Sequence, residues 1–251
     1  GRNIYPEYTL LIFTDGRGNV TGLCGGTMIA SDKLLTAAHC AQNRASTYFA
    51  IPGFYSFNDR ITTNNLIQIN RVVNHPSYSR QGFDFDVAVM TLSRETSLPG
   101  AKLVRGNNLF DGEQGTVIGT GLTATVPSRV VVDVLQQVAA PIISNNQCSS
   151  NYIRFAGIDP ITPNMVCAGF SDNSNGTCSG DSGGPLFVDI RGQRAIAGLV
   201  SFGFSTCEAN RATDAYARVT AFTDFIQSQS PNTTFVKSNT LVIAPILMIL
   251  D

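Results

Sequence analysis

The chain has 251 residues, 43% of them hydrophobic and 14% charged, and its formal net charge is -1. This composition is typical of a folded protein with one large domain or two small cores, and the length requires no third domain. The near-neutral charge gives no electrostatic reason to expect nucleic acid or an anionic surface as a partner. The function must therefore come from a local site.

Short apolar runs separated by turn residues dominate the sequence, which contains 23 Gly and 11 Pro. This pattern predicts a mostly antiparallel β-protein. Residues 9–13 are predicted to form a strand, residues 14–19 a hairpin turn and residues 23–30 the returning strand. Further strands, spaced as in small β-barrels, are predicted at residues 34–35, 67–69, 87–90, 117–118, 131–138, 185–188 and 195–201.

Two other segments differ from this strand pattern. Residues 95–115 are rich in Gly, Asn and Pro, and we expect the chain to cross there from one half to the other. Residues 222–228 carry apolar side chains at Phe222, Phe225 and Ile226, which predicts a short terminal helix.

The C-terminal tail allows two interpretations. Residues 241–250 are apolar, but this run is too short to span a bilayer as a helix. Small residues at Ser228 and Ser230, followed by a polar spacer, loosely fit a GPI-attachment signal. Pro245 and Asp251 argue against an anchor, so we favour an apolar extension and expect membrane attachment only if the tail is such a signal.

The cysteines form an even set without the Cys-x-x-Cys spacing of zinc or redox motifs, which favours disulfides and secretion. They allow fifteen pairings, and the sequence alone does not choose among them. Sequons at Asn19 and Asn232 agree with a secretory route. Because the chain opens at Gly1 without a signal peptide, we expect a longer precursor. The six cysteines are Cys24, Cys40, Cys148, Cys167, Cys178 and Cys207.

The most informative stretch is residues 178–185, Cys-Ser-Gly-Asp-Ser-Gly-Gly-Pro. Acyl transfer needs a nucleophile on a tight turn and N–H donors for the oxyanion, and glycine adopts the backbone angles that such a turn requires. Ser182 is the candidate nucleophile. From composition alone, a glycine-rich hexamer is more often an ordinary turn.

A serine needs a base to take its proton, and this chain has two histidines. His39 lies in Thr-Ala-Ala-His-Cys, whereas His75 lies in a stretch that resembles a surface turn. The base needs an acceptor in turn. Asp84 and Asp86 both qualify, because two residues apart on a strand they would face the same side.

These motifs resemble the chymotrypsin-like (trypsin-fold, S1) serine proteases, whose signatures include G-D-S-G-G-P and T-A-A-H-C. The order His39, Asp86, Ser182 is that of this family and differs from the subtilisin and α/β-hydrolase orders. The family places its acid immediately before an apolar run, which selects Asp86 over Asp84. The resemblance extends over about residues 10–228.

The resemblance implies an all-β fold of two antiparallel Greek-key barrels packed side by side, with a short C-terminal helix. We expect a peptidase domain over residues 1–228, with barrels at about 1–100 and 113–220 and the helix at about 220–228. Residues 229–251 would form an extension with an apolar tail.

The resemblance also implies roles for the site residues. Ser182 would attack the peptide carbonyl, His39 would transfer the proton, Asp86 would orient His39, and the N–H groups of Gly180 and Ser182 would bind the oxyanion. Peptide hydrolysis through an acyl-enzyme would follow. No metal or cofactor is expected. Expected partners are protein or peptide substrates and protein protease inhibitors, for a secreted, monomeric enzyme.

The family also implies the disulfide pairs. They would be Cys24 with Cys40, Cys148 with Cys167, and Cys178 with Cys207. Each would close a loop of roughly 15 to 30 residues, contributing about 3 to 4 kcal/mol on the chain-entropy model.

The implied specificity pocket departs from that of trypsins. Gly176 stands where trypsins carry Asp, and Asp214 stands where Gly is usual. The wall segment Ser201-Phe202-Gly203 keeps small residues, with Phe202 in place of Trp. The combination resembles broad-specificity collagenolytic members of the family, so we expect cleavage after apolar, aromatic and Arg or Lys residues. The alternative is that Asp214 is a turn residue with no role in the pocket.

Activation is the second departure. Family members are cleaved to free an apolar N-terminus, whose ammonium would pair with Asp181. No such start precedes Gly1. Either the sequence begins a few residues after the apolar N-terminus, or the chain cannot complete its oxyanion hole. The missing start leaves an alternative function, a non-catalytic protease homologue that acts as a binding or regulatory protein. A serine esterase or transferase that uses the same triad is a further alternative.

Overall fold

In a computed structural model, the first half of the chain forms a closed, six-stranded antiparallel barrel in the order β1-β2-β3-β6-β5-β4. The structure describes residues 3–42, 47–107, 110–125, 128–130, 133–169, 176–204 and 213–238. The predicted opening hairpin is confirmed, with Leu11 paired to Cys24 across β1 and β2. The strands are β1 (Tyr8–Thr14), β2 (Val20–Ala30), β3 (Lys33–Thr36), β4 (Thr47–Pro52), β5 (Ile67–Asn74) and β6 (Ala88–Leu92).

The second half forms an eight-stranded sheet in the order β13-β8-β11-β12-β15-β14-β7-β16. Pairing of β13 with β14 closes six of these strands into a second antiparallel barrel, and β7 and β16 extend it in parallel. The prediction of two barrels is confirmed. The strands are β7 (Lys102–Arg105), β8 (Gln114–Gly119), β11 (Gln136–Ile143), β12 (Met165–Gly169), β13 (Pro185–Ile190), β14 (Gln193–Phe202), β15 (Thr213–Arg218) and β16 (Phe235–Lys237), with a separate pair β9 (Thr123–Thr125) and β10 (Ser128–Val130).

Two α-helices accompany the barrels in the described part of the chain. The predicted terminal helix is α2 (Thr223–Gln229). The helix α1 (Asn145–Ala156) was not predicted, because it buries only Cys148 and Tyr152 and so lacks a strong apolar periodicity. Its ends carry standard signals: the Ser144 side chain accepts a hydrogen bond from Gln147 N, and Gly157 ends the helix with φ 72°.

Among the described residues, three larger apolar clusters hold the barrels together, and a fourth, smaller one packs α1 against β12 and β15. One fills the first barrel around Leu11, Met28 and Met90, and another fills the second barrel around Val166 and Tyr216. The third joins residues of both halves, among them Tyr8, Leu10, Leu35, Phe187 and Leu199. Burial of this shared cluster fixes one half against the other, which positions the loops at their junction.

The first disulfide joins Cys24 to Cys40 and the second joins Cys148 to Cys167, the pairs implied by the family resemblance. Cys178 is also disulfide-bonded, and its expected partner Cys207 lies outside the described residues. The first pair ties β2 to the 3-10 turn Ala38–Ala41, which contains His39.

The chain after α2 folds back onto the second half. Leu103 N donates to Thr234 O, and β16 pairs with β7 beyond that point. Ser230 and Thr233 are buried. The apolar tail at residues 241–250 lies outside the described residues. Over the part of the chain that is described, no helix has the length and apolar character needed to cross a membrane.

Candidate active site

Strand pairing in the first barrel brings His39 and Asp86 to the same place. β3 and β6 are antiparallel with Thr36 opposite Ala88, so the residues after Thr36 and those before Ala88 leave the sheet at the same end. His39 then lies in the 3-10 turn and Asp86 immediately before β6.

Asp86 accepts three hydrogen bonds from groups around it, and its side chain is 0% exposed. Its Oδ2 lies 2.8 Å from His39 Nδ1, and its Oδ1 accepts from His39 N at 2.8 Å. The Ser201 hydroxyl, from the second half, donates to Oδ2 at 2.5 Å. The buried carboxylate therefore fixes the imidazole ring, and residues of both halves satisfy it.

The Cys24–Cys40 disulfide lies beside the same ring, with Cys40 Sγ 3.7 Å from His39 Nε2. These three side chains lie close enough together to suggest a metal site. Since both sulfurs are joined in one disulfide, neither is available as a thiolate ligand.

Ser182 lies on a tight turn at the junction of the two halves. Asp181 N donates to Cys178 O and Gly184 N donates to Asp181 O, which closes the turn. Gly25 N of the first barrel donates to Ser182 O at 2.7 Å. This contact brings Ser182 next to the first half, which carries His39, although the Ser182 hydroxyl and His39 make no hydrogen bond within the described part of the chain.

Two backbone N–H groups around Ser182 have no partner among the described residues. Gly180 has φ 104°, a conformation that favours glycine. Neither Gly180 N nor Ser182 N donates a hydrogen bond to another described residue. Two unpaired donors flanking a serine can stabilise a developing oxyanion.

A cavity of about 160 Å³ opens beside Ser182. Ser201, Phe202 and Gly203, predicted from the sequence as its wall, all line it. Asp214 lies behind this wall: it is 4% exposed, and a Cβ on Gly203 would lie 2.2 Å from its Oδ1. Gly176 does not line this cavity but a neighbouring one.

Thr177 separates the two cavities and holds Asp214. Thr177 N and Oγ1 both donate to Asp214 Oδ2, at 2.8 Å and 2.7 Å. Burial is the largest influence on this carboxyl, and it raises the pKa of Asp214 to about 6. Asp214, the acid that the family resemblance places at the pocket, therefore lies against the residues that line it.

The neighbouring cavity, of about 250 Å³, contains Asp181. The Asp181 carboxylate accepts from Gly121 N at 2.7 Å and from Cys178 N at 2.9 Å. Burial raises the pKa of Asp181 above its usual range. A Cβ at Gly119 or Gly121 would lie within 2.3 Å of a carboxylate oxygen, so both positions must be glycine for the carboxylate to lie here.

Comparison with known proteins identifies the fold and the family. The family model described as Trypsin matches residues 9–226. A trypsin from Xenopus laevis is 31% identical over 214 residues, covering 82% of this chain and 80% of that protein. The chain belongs to the trypsin family. It is a serine endopeptidase of class EC 3.4.21.

One further relative agrees with this assignment, and one solved structure agrees with the fold. The human protein transmembrane protease serine 5 is 33% identical over 213 residues, covering 81% of this chain and 45% of that longer protein. A solved structure of HL collagenase superposes with a TM-score of 0.75 at 24% identity, covering 92% of this chain and 95% of that one. At that identity the structural match supports the trypsin fold alone.

His75 and Asp84, the histidine and the aspartate that were not selected for the site, make other contacts in this trypsin-family chain. His75 accepts a hydrogen bond from Ser77 N and packs against the rings of Phe85, Phe222 and Phe225. Burial lowers the pKa of His75. The imidazole thus contributes to an aromatic cluster.

Asp84, the acid that was not selected, connects the two halves. Its Oδ1 accepts from Thr162 Oγ1 at 2.9 Å and from Asn164 Nδ2 at 3.0 Å, both in the second half. Its neighbours Phe83 and Phe85 have φ values of 53° and 55°, which cost on the order of 1 kcal/mol or more each for non-glycine residues. The bonds to Asp84 therefore hold a strained segment against the second barrel.

Three groups at this site of the trypsin-family chain were not predicted from the sequence. Thr177 bonds Asp214, and Gly119 and Gly121 make room for Asp181. The ring of Phe83 contacts both His39, at 5.7 Å between centroids, and Phe202, at 5.6 Å. Gly119 lies in a Val-Ile-Gly run that resembles the family, but no short motif gives any of these residues its role, because each role is defined by a contact with a segment distant in sequence.

Replacing Asp84 tests its role in joining the halves. Asp84→Ala removes the acceptor for Thr162 and Asn164 and is expected to lower the free energy of unfolding by about 1–3 kcal/mol. Asp84→Asn, the matched control, keeps an acceptor oxygen and should lose clearly less. Urea unfolding of the three proteins measures both values. Equal stability of Asp84→Ala and the unsubstituted protein would contradict this role.

Proposed function

We propose that this trypsin-family chain cleaves peptide bonds with Ser182 as nucleophile, His39 as general base and Asp86 as the orienting acid. Ser182 Oγ attacks the peptide carbonyl carbon while its proton passes to His39 Nε2. The N–H groups of Gly180 and Ser182 receive the oxyanion. Collapse of the tetrahedral intermediate releases the amine, which takes the proton from His39, and water then hydrolyses the acyl-enzyme by the same steps.

The observation that carries this proposal is the set of bonds around Asp86. An unexposed carboxylate that accepts from His39 Nδ1 makes that nitrogen the donor and leaves Nε2 to act as the base. It also stabilises the imidazolium that forms after proton transfer. The hydrogen bond from Ser201 offsets part of the free-energy cost of burying the Asp86 carboxylate.

The approach of Ser182 Oγ to His39 Nε2 belongs to the complex with substrate. Catalytic hydrogen bonds often tighten only when substrate binds. The backbone bond from Gly25 to Ser182 brings the two segments together in advance.

We further propose that Asp181 is the activation partner of a new N-terminus released upstream of Gly1. The cavity at Asp181 and the absence of side chains on Gly119 and Gly121 support this role. An ammonium entering the cavity would pair with the buried Asp181 carboxylate. This carboxylate accepts hydrogen bonds from two N–H groups, and no cation among the described residues pairs with it.

For the substrate we propose a primary pocket formed by Ser201, Phe202 and Gly203, with Asp214 determining what it accepts; Gly176, which the family resemblance placed at this pocket, lines the neighbouring cavity instead. Phe202 supplies an apolar wall, and Asp214 supplies the only negative group that we assign to this pocket. Protein substrates follow from the family. A monomeric enzyme, secretion and inhibition by protein inhibitors are the accompanying proposals, together with a domain over residues 1–228 followed by an extension.

Ser182→Ala tests the nucleophile. Because the triad acts as a unit, loss of the hydroxyl is expected to lower kcat on a peptide substrate by on the order of 10⁵- to 10⁶-fold. Ser179→Ala is the matched control, since Ser179 lines the same cavity three positions earlier. It should keep kcat within about tenfold. Retained activity in purified, folded Ser182→Ala would contradict the assignment.

A peptide library tests the substrate proposal. With an apolar wall and one carboxylate at its pocket, the activated full-length protein is expected to cleave after apolar or aromatic residues and also after Arg or Lys. Mass spectrometry of the products gives the residue preceding each cleaved bond. A strict preference for Arg and Lys would contradict the proposed pocket.

A further inference from the structure

The carboxylate of Asp214 has two unequal oxygens. Oδ2 accepts both hydrogen bonds from Thr177. Oδ1 accepts no hydrogen bond from a described residue and faces Gly203, where a Cβ would lie 2.2 Å away. Thr177 and Gly203 both line the cavity beside Ser182. Oδ1 lies behind Gly203, which has no side chain to shield it, so we expect a substrate side chain that enters the cavity to approach Oδ1 and not Oδ2.

The groups that face this carboxylate are acids and phenols. Asp181 lies on the turn before β13, Tyr152 on α1 and Tyr216 on β15, and each interacts electrostatically with Asp214. No Lys, Arg or His among the described residues lies within ion-pair distance of Asp214. Glu208 and Arg211, on the segment before β15, lie outside the described residues.

Tyr216 adds a second polar group with no partner. Its side chain is 0% exposed, and its hydroxyl makes no hydrogen bond within the described part of the chain. Burial and the neighbouring carboxylates raise the pKa of Tyr216, so the phenol stays neutral. A buried anion beside a neutral phenol, with no cation supplied by the described residues, is an environment that favours the protonated carboxyl.

The two charge states of Asp214 suit different substrates. A guanidinium or ammonium is stabilised by an ionised Oδ1 and would be left unpaired over a protonated one. An apolar or aromatic side chain over an ionised Oδ1 would remove water from an unpaired charge, which costs free energy. The protonated carboxyl keeps its contacts with Thr177 and places no charge against the apolar side chain.

We propose that Asp214 makes the primary specificity of this enzyme depend on pH, favouring apolar and aromatic side chains when its carboxyl is protonated and Arg or Lys when it is ionised. This inference rests on the proposed function and on the assignment of Asp214 to the pocket. Since burial raises the pKa of Asp214 to about 6, the change of preference falls in the weakly acidic range.

The test compares two peptide substrates that differ only at the residue preceding the cleaved bond, Arg in one and Phe in the other. The activated full-length protein is assayed between pH 5 and pH 8.5, and the ratio of the two kcat/KM values is plotted. Proton transfer by His39 is common to both reactions and cancels in the ratio. From pH 5 to pH 8 the ratio should rise in favour of Arg by about tenfold or more.

Three variants assign the effect to this carboxyl. Asp214→Asn keeps an acceptor for Thr177 but cannot ionise, so it should cleave the Arg substrate less well and give a flat ratio. Thr177→Ala removes one hydrogen bond that favours the ionised form, so the midpoint should move to higher pH. Asp224→Asn is the matched control: its side chain is 97% exposed, and the ratio should change with pH as in the unsubstituted protein.

The outcomes separate this inference from the function on which it rests. If both substrates are cleaved and the ratio does not change with pH, the inference is wrong and the proposed protease activity stands. The same holds if Asp214→Asn keeps the original pH dependence. If the activated protein cleaves neither substrate nor any member of the peptide library, the proposed function itself is wrong, and the inference falls with it.

Discussion

The candidate site depends on a close approach of two backbones where the barrels meet. A Cβ on Gly25 would lie 2.9 Å from Gly184 Cα, and one on Gly183 would lie 2.6 Å from Gly25 O. Side chains at these positions would force the halves apart. The glycines that follow Cys24 and Ser182 in the sequence therefore form the two sides of one contact. This contact lets Gly25 N donate to Ser182 O, which brings the serine beside the segment that carries His39.

Electrostatics at the junction follow from the same contact. Asp86 belongs to the first half, yet Ser201 of the second half donates one of its hydrogen bonds. Asp84, two residues earlier, accepts from Thr162 and Asn164 across the same boundary. Buried carboxylates need such partners, because an unpaired charge away from water is costly. Separation of the halves would therefore part Ser182 from His39, and it would remove the bond from Ser201 to Asp86 and the bonds from Thr162 and Asn164 to Asp84.

The sequence predicted what local motifs encode. Several strands, the terminal helix and the candidate residues His39, Asp86 and Ser182 could be inferred because each lies in a run with its own periodicity or signature, and the family resemblance implied the two barrels. Strands β4, β7, β12, β15 and β16 were not predicted. Contacts between segments that are distant in sequence could not be predicted in this way. The bonds from Thr177 to Asp214, the position of Gly176 in the Asp181 cavity and the second-half partners of Asp84 depend on tertiary structure. Helix α1 escaped prediction because only two of its residues are buried.

The central claim is that His39, Asp86 and Ser182 act together across the junction. The most direct measurement is labelling of the activated protein with a serine-directed phosphonate, followed by mass mapping of the modified peptide and repetition with folded His39→Ala. The account predicts one phosphonate for each chain, attached to Ser182, and loss of labelling in His39→Ala because the hydroxyl then lacks its base. Absence of labelling in the activated protein, attachment to another serine, or full labelling of His39→Ala would contradict it.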